Sequence, residues 1–300
     1  MPVIIPKDLP ARNTLIQEDP GLVIDPEQAE GKPALDIAIL NLMPQKITTE
    51  VQLLRVLGKS HYHVSITLMR MGSHQPKNTP IEYLQTFYKT FSEVENQTYD
   101  GLIITGAPVE TLEFEQVDYW SELTDVLRWR KENVWSTYHI CWAVQAAVYF
   151  EFGIPKYQLP AKVFGVFSHT KNEIKDGLLA GIHDQFLMPH SRHTEIHRDD
   201  IEQIPELHVV SVSEEAGVFL ITSTDERQIY VTGHPEYDPY TLRNEYERDV
   251  RKGLKIDLPK NYYENDNPLN PPLFQWRDTG PLLYANWLEK IVSKSMIKSR

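Results

Sequence analysis

The stretch Val134-Trp135-Ser136-Thr137-Tyr138-His139-Ile140-Cys141-Trp142-Ala143-Val144-Gln145-Ala146-Ala147 decides the fold. Residues 134–139 read as a buried strand, and residues 142–151 read as a helix rich in Ala and aromatic side chains. Cys141 stands at the junction. A strand that runs straight into a helix is the repeating unit of a sheet covered by helices.

The same alternation continues toward the amino terminus. Residues 99–106 read as a strand ending in Gly106, and 120–131 as a helix. Residues 63–71 form a strand pattern and 81–94 a helical one. Residues 35–42 are a short apolar run stopped by Met43-Pro44, and a helix follows over 49–59 with Thr48 or Thr49 as its cap. Residues 1–33 are rich in Pro, Asp and Glu without periodicity, and read as an extended arm on the surface. Strand-helix alternation of this kind implies a mainly parallel sheet with helices on both faces.

Toward the carboxyl terminus the pattern changes. Residues 207–212, 218–223 and 228–232 are short strands with brief turns, which predicts antiparallel pairing. A charged helix covers 241–252, a Pro- and Asn-rich surface loop 255–280, and an amphipathic helix 281–298. Residues 34–300 thus read as one α/β domain with an antiparallel extension. Such folds place their chemistry at the carboxyl ends of the parallel strands.

Composition narrows the function classes. The 300 residues are 41% hydrophobic and 24% charged, enough for a substantial core. With 30 Lys plus Arg against 42 Asp plus Glu, the formal net charge is −12. A negative chain is repelled by nucleic acid and by anionic membranes, so neither is an expected partner; small molecules are. One cysteine cannot build an internal disulfide framework. The first residues lack a signal-peptide pattern, and no apolar run is long enough to span a membrane. The expected address is a reducing cytoplasm, with a closed homodimer as the default assembly.

A cysteine at a strand-to-helix turn is exposed at the sheet edge. Helix N–H groups there favour a thiolate and can hold an oxyanion. The alternative is a buried structural cysteine. The partner signal is Ile229-Tyr230-Val231-Thr232-Gly233-His234-Pro235-Glu236. In extended backbone, residues two apart face the same side, so Glu236 would orient His234 and leave its other ring nitrogen free to take a proton. Cys141, His234 and Glu236 are therefore the candidate nucleophile, base and orienter.

The order Cys then His-x-Glu in such a sheet resembles the class I glutamine amidotransferase fold, a flavodoxin-like arrangement. Within that superfamily the chain is more similar to the homoserine O-acyltransferase family of methionine biosynthesis. The resemblance rests on Asn41-Leu42-Met43-Pro44-Gln45-Lys46, Thr105-Gly106-Ala107-Pro108-Val109-Glu110, His139-Ile140-Cys141-Trp142, Pro189-His190-Ser191-Arg192 and Gly233-His234-Pro235-Glu236-Tyr237. Amidotransferases carry glycines around the nucleophile; Ile140, Trp142 and Ala143 stand there instead.

The resemblance implies a ping-pong acyl transfer from acyl-coenzyme A to homoserine, through a thioester on Cys141. It makes Lys46 an oxyanion stabiliser and Lys162, Ser191 and Arg248 the acceptor-binding residues. Without it, Arg248 reads as a solvated position on its helix. It assigns donor choice to Glu110, since Glu at that place goes with acetyl donors and Gly with succinyl donors. A carboxylate there would repel the terminal carboxylate of succinyl. Otherwise Glu110 reads as a solvated loop residue. The implied cosubstrate is acetyl-CoA, with no bound cofactor.

His190, His193 and His197 have offsets that would share one helical face, as zinc ligands do. Pro189 and Ser191-Arg192 suggest a loop start and no Cys is near, so they read as solvated or capping histidines, and no metal is expected. Gly101 and Gly106 form neither a dinucleotide fingerprint nor a P-loop. Two other classes fit an elbow cysteine. One is a glutamine amidotransferase-like cysteine hydrolase, which would release ammonia from glutamine. The other is a redox protein, in which Cys141 would oxidise without forming an acyl adduct.

Overall fold

A computed structural model describes residues 1–75, 78–172 and 177–298. The last two residues of the expected 34–300 unit lie outside the described residues. In chain order the strands are β1 (Val3–Ile4), β2 (Val23–Ile24), β3 (Ala34–Leu40), β4 (His63–Arg70), β5 (Tyr88–Thr90), β6 (Tyr99–Ile104), β7 (Val134–Ile140), β8 (Tyr157–Lys171), β9 (Gln185–Glu195), β10 (Leu207–Ser213), β11 (Gly217–Ser223) and β12 (Gln228–Val231). The helices are α1 (Ala11–Glu18), α2 (Pro26–Ala29), α3 (Lys46–Gly58), α4 (Ile81–Phe87), α5 (Phe91–Val94), α6 (Trp120–Asn133), α7 (Trp142–Phe152), α8 (Arg198–Glu202), α9 (Thr241–Arg251) and α10 (Thr279–Lys298).

Among the described residues the strands make one sheet of order β2-β1-β4-β3-β6-β7-β12-β11-β10-β8-β9, with β5 beside β4. Pairing is parallel from β2 across to β12. It is antiparallel from β12 onward. The mainly parallel sheet with an antiparallel carboxyl-terminal part is thus present. One local difference is instructive: β12 pairs antiparallel with β11 but parallel with β7. It therefore belongs to both halves.

Central strands are apolar on both faces because helices cover both. Ile37, Ile39, Ile103 and Tyr138 point into one core with Leu53 and Leu57 of α3 and Trp287 and Leu288 of α10. Ala38, Leu40, Leu102 and Ile104 point into the other with Val126 of α6 and Val144 of α7. Alternate residues of one strand feeding opposite cores is the period-two geometry of a strand. In α10 the buried residues Leu283, Tyr284, Trp287, Leu288 and Ile291 follow helical spacing. Trp287 Nε1 also donates to Ser136 Oγ at 2.9 Å, so its polar edge is satisfied inside the core.

Several expectations are corrected. Residues 1–33 are not an extended surface arm. They contain β1, α1, β2 and α2, and Val3, Ile5, Leu9 and Leu15 are buried. Their few apolar residues are spaced to meet α3 and β4, and β1 pairs parallel with β4. Helix α3 begins at Lys46, ahead of the expected start, so Thr49 caps nothing and sits inside the helix. The helix expected over 81–94 is broken by β5, because Tyr88 extends to pair with Leu68 and is buried. A capping box at Thr90 and Glu93 then restarts it. The long hairpin β8–β9 has no counterpart in the sequence reading: Pro160, Gly165 and Pro189 mask its alternation. The stretch 255–280 is a loop in the main, yet Tyr262, Tyr263 and Trp276 anchor it in the core.

The amino-terminal segment is expected to carry stability like any core element. Leu15→Ala should cost about 2–5 kcal/mol, the usual range for a buried leucine. Urea denaturation measures this, and a curve superimposable on that of the parent chain would show that the segment packs loosely.

Candidate active site

Four neighbouring parallel strands end at one edge of the sheet. Leu40 pairs with Ile104, Ile104 with His139, and Ile140 with Val231. The residues that follow these strands, Asn41, Thr105-Gly106, Cys141 and Thr232-Gly233-His234, are therefore brought side by side. Cys141 N–H donates to Val231 O at 2.8 Å, which continues the ladder one step past the strand.

Cys141 is the cap residue of α7, with φ 52° and ψ −113°. A non-glycine residue in this region costs on the order of 1–3 kcal/mol, and such strain persists only where the surroundings enforce it. The turn sets Cys141 before the first N–H groups of α7, but its side chain is not exposed at the sheet edge as expected: it is 6% exposed and packs with the core beneath. Gly106 makes room for it. A Cβ on Gly106 would lie 3.3 Å from Cys141 Cβ and 3.7 Å from His234 Cε1.

His234 Nδ1 lies 2.7 Å from Glu236 Oε1, and both residues are buried. With Nδ1 engaged by the carboxylate, Nε2 is the nitrogen left for the hydrogen bond with Cys141. The sequence argument placed Glu236 by extended alternation. The structure reaches the same contact through a turn, in which Tyr237 N–H donates to His234 O at 3.2 Å. The His234 backbone is fixed from the other side by Pro189 O, 2.9 Å from its N–H. Burial lowers the proton affinity of His234, but the Glu236 and Cys141 charges and their hydrogen bonds outweigh it. The imidazole is held well above its ordinary value. Tyr237 stacks on the ring at 4.0 Å, and Tyr284 of α10 donates to Glu236 Oε2 at 3.5 Å.

The stacked Tyr237 leads to a second cluster. Its hydroxyl donates to Glu245 Oε1 at 3.2 Å. Glu245 Oε2 accepts from Ser191 Oγ at 2.5 Å and from Lys162 Nζ at 3.3 Å. Lys162 Nζ also lies 3.9 Å from Asp249 Oδ2, and Arg248 clasps Asp249 through two hydrogen bonds of 2.7 and 3.0 Å. Lys162 and Ser191 thus converge on Glu245, and Arg248 joins them only through Asp249. The sequence reading missed Glu245. Its signal was the offset of three residues to Arg248 and four to Asp249, which shares a helical face. Lys162, Asp249 and His193 also line a cavity of about 1080 Å³ together with Phe164, Leu254 and Lys255.

Lys46 sits at the start of α3 and is buried. Its ammonium donates to Asn41 O. Glu50, one turn on, accepts from Tyr83 at 2.6 Å and Tyr88 at 2.5 Å. Burial pushes Lys46 down to about 8; Glu50 opposes the shift and Arg70 adds to it. Lys46 thus belongs to the edge that carries Cys141, but its described partners are those of β3 and β5. Glu110, in the loop after β6, is half-buried and accepts from His193 N–H at 3.1 Å. It is not a solvated loop residue.

The three histidines point apart. His190, His193 and Thr194 lie on β9, not on a helix or in a loop. His190 is buried with its Nε2 2.9 Å from His169 Nε2, so it is neither solvated nor capping. His193 is exposed, and His197 stacks on Tyr157 at 3.7 Å. Among the described residues no cluster of three or more His, Cys, Asp or Glu is arranged to hold a metal ion. No described helix is long and apolar enough to cross a membrane.

Comparison with known proteins places the chain in a family. The family described as homoserine O-succinyltransferase matches residues 2–297. A homoserine O-acetyltransferase from Geobacillus kaustophilus is 52% identical over 294 residues, covering 97% of this chain and 97% of that protein. A homoserine O-acetyltransferase from Brevibacillus brevis is 52% identical over 293 residues, covering 97% and 96%. Among solved structures, a glutamine amidotransferase from Thermotoga maritima has a TM-score of 0.57 at 13% identity, over 86% of this chain and 98% of that one. One from Methylobacillus flagellatus has a TM-score of 0.52 at 12% identity, over 85% and 94%. At such identities these last two speak for the fold alone. The chain belongs to the homoserine O-succinyltransferase family, and it is a homoserine acyltransferase on a glutamine amidotransferase-like fold.

Proposed function

We propose that this enzyme is a homoserine O-acetyltransferase of methionine biosynthesis, working through an acetyl thioester on Cys141 with acetyl-CoA as donor. The observation that carries the reading is the buried line Cys141–His234–Glu236 at the strand-end edge. The reaction begins when the Cys141 thiol gives its proton to His234, whose ring Glu236 holds ready to accept it. The thiolate attacks the acetyl carbonyl, and His234 passes its proton to the departing coenzyme A sulfur. Two of the influences that held the imidazole high, the Cys141 charge and its hydrogen bond, are then gone. Burial now works against a second positive charge, and the neutral ring is ready as a base. It takes the proton of the homoserine hydroxyl as that oxygen attacks the thioester. Cys141 leaves as a thiolate and recovers its proton from the recharged imidazolium, which closes the cycle. N–H groups of the first turn of α7 face the developing oxyanion, and Lys46 adds positive charge from the same edge.

The cluster beyond Tyr237 suits an amino acid. Lys162 and Arg248 match its carboxylate, and Glu245 with Ser191 matches its ammonium. Glu110 supports the acetyl reading, because a half-buried carboxylate beside the site disfavours a donor that ends in a carboxylate. The family carries succinyl in its name while the similar relatives carry acetyl, so the donor needs its own test. A reducing cytoplasm suits an enzyme with a free thiol at its centre.

Intact-mass spectrometry with acetyl-CoA should show one added acetyl group, removed by homoserine and absent in Cys141→Ser; an undiminished adduct in Cys141→Ala would reject the nucleophile. Turnover should be at least about tenfold faster with acetyl-CoA than with succinyl-CoA, a difference of about 1.4 kcal/mol; a preference for succinyl would overturn the donor assignment. Glu236→Gln should lower the midpoint of the His234 ring titration followed by NMR, because the largest favourable charge on the ring is removed. If the Lys46 ammonium aids transfer, the rate should fall as pH rises through about 8. Lys46→Arg should carry that fall above about pH 10, since arginine keeps its proton; an unchanged profile would assign the limb to another group.

A further inference from the structure

Tyr237 touches the base and the acceptor cluster at once. Its ring centroid lies 4.0 Å from that of His234, with 13° between the planes, so the two rings stack face to face. Its hydroxyl donates to Glu245 Oε1 at 3.2 Å. The other oxygen of that carboxylate accepts from Ser191 Oγ at 2.5 Å and from Lys162 Nζ at 3.3 Å. The Tyr237 side chain is buried. Burial, and then the Glu245 charge, hold its phenol well above the ordinary value, so the hydroxyl keeps its proton and stays a donor.

The backbone of Tyr237 is fixed without help from its side chain. Its N–H donates to His234 O at 3.2 Å, and its carbonyl accepts from Trp276 Nε1 at 2.8 Å. The ring is therefore held over His234. Glu236 grips the imidazole at Nδ1 only, 2.7 Å away, and one bond at the ring edge does not set the tilt of the ring plane. The stacked face does. An aromatic face is also electron-rich, so it favours the imidazolium over the neutral ring. A phenol that donates to a carboxylate is polarised further in the same sense.

We propose that Tyr237 is a positioning residue that couples the acceptor cluster to the base: its face sets the tilt of the His234 imidazole, and its hydroxyl ties that face to Glu245. The carboxylate that suits the acceptor ammonium and the imidazole that takes the acceptor proton then move as one unit. The coupling matters most in the second half of the reaction, when both groups act on the same molecule. The inference rests on the acyl-transfer reading for its effect on rate; the coupling itself exists without substrate.

The test uses the full chain, with thermal melting to check that each variant is folded. The His234 ring is first titrated by NMR without substrate. Glu245→Gln should lower its midpoint in the parent chain, because the phenol then donates to a neutral group. Tyr237→Phe keeps the ring and the backbone contacts but has no hydroxyl. In that background Glu245→Gln should lower the midpoint by no more than about half as much, since a direct effect of the Glu245 charge would act equally in both backgrounds. Equal shifts, or no shift in the parent, overturn the coupling. Should Glu245→Gln not fold, Tyr237→Phe alone should lower the midpoint and Tyr237→Leu should lower it further; an unchanged midpoint in Tyr237→Phe overturns the coupling as well. The two half-reactions are then timed separately, as acetylation of Cys141 and as its reversal by homoserine. Tyr237→Phe should slow the homoserine half about tenfold more than the acetyl half. Equal slowing would mark a merely structural residue and overturn the positioning role. If the parent forms no acetyl adduct while the titrations show coupling, the reaction is rejected and the coupling stands.

Discussion

The pairing of β7 with β12 is the constraint on which the site depends. These strands are far apart in sequence, yet parallel pairing sets Tyr230 against His139 and Val231 against Ile140. Both strands then end at the same edge, and Cys141 and His234 emerge as neighbours. A slip of one residue would reverse every side chain on β12 and send Ile229 and Val231 to the wrong core. The register is held because both faces are buried and each face has its own apolar partners. Precision at the site is thus inherited from packing at some distance from it.

Electrostatics then works inside that frame. The chain is acidic as a whole, and His234, Lys46 and Lys162 are set among the carboxylates Glu236, Glu50, Glu245 and Asp249. Buried charges add little net stability and are costly when one partner is lost. Their concentration here is better understood as a requirement of the chemistry. The packing of Trp287 and its α10 neighbours beneath the sheet supplies the stability that such a cluster does not.

Much of the parallel half was legible in the sequence. Buried strands such as 99–106 and 134–139 show as short apolar runs, and helix signals between them fix the alternation. The elbow cysteine was legible for the same reason. The His-x-Glu pair was found by reasoning about extended backbone, although a turn makes the contact. What escaped notice shares a cause. Residues 157–171 and 185–195 form long strands with polar and proline positions, and residues 159–164 of the first line a cavity. Residues 1–33 carry too few apolar positions to show a period, yet place them where α3 and β4 need them. Glu245 gave no motif, because its meaning lies in partners brought together only by folding.

The left-handed backbone at Cys141 has one further consequence. A glycine would be more comfortable in that conformation, so a sequence selected for thermal endurance alone would drift toward glycine at the elbow. Breeding this scaffold for robustness while ignoring its chemistry would therefore tend to erase the sulfur first. The proposed nucleophile is among the residues that this backbone tolerates least.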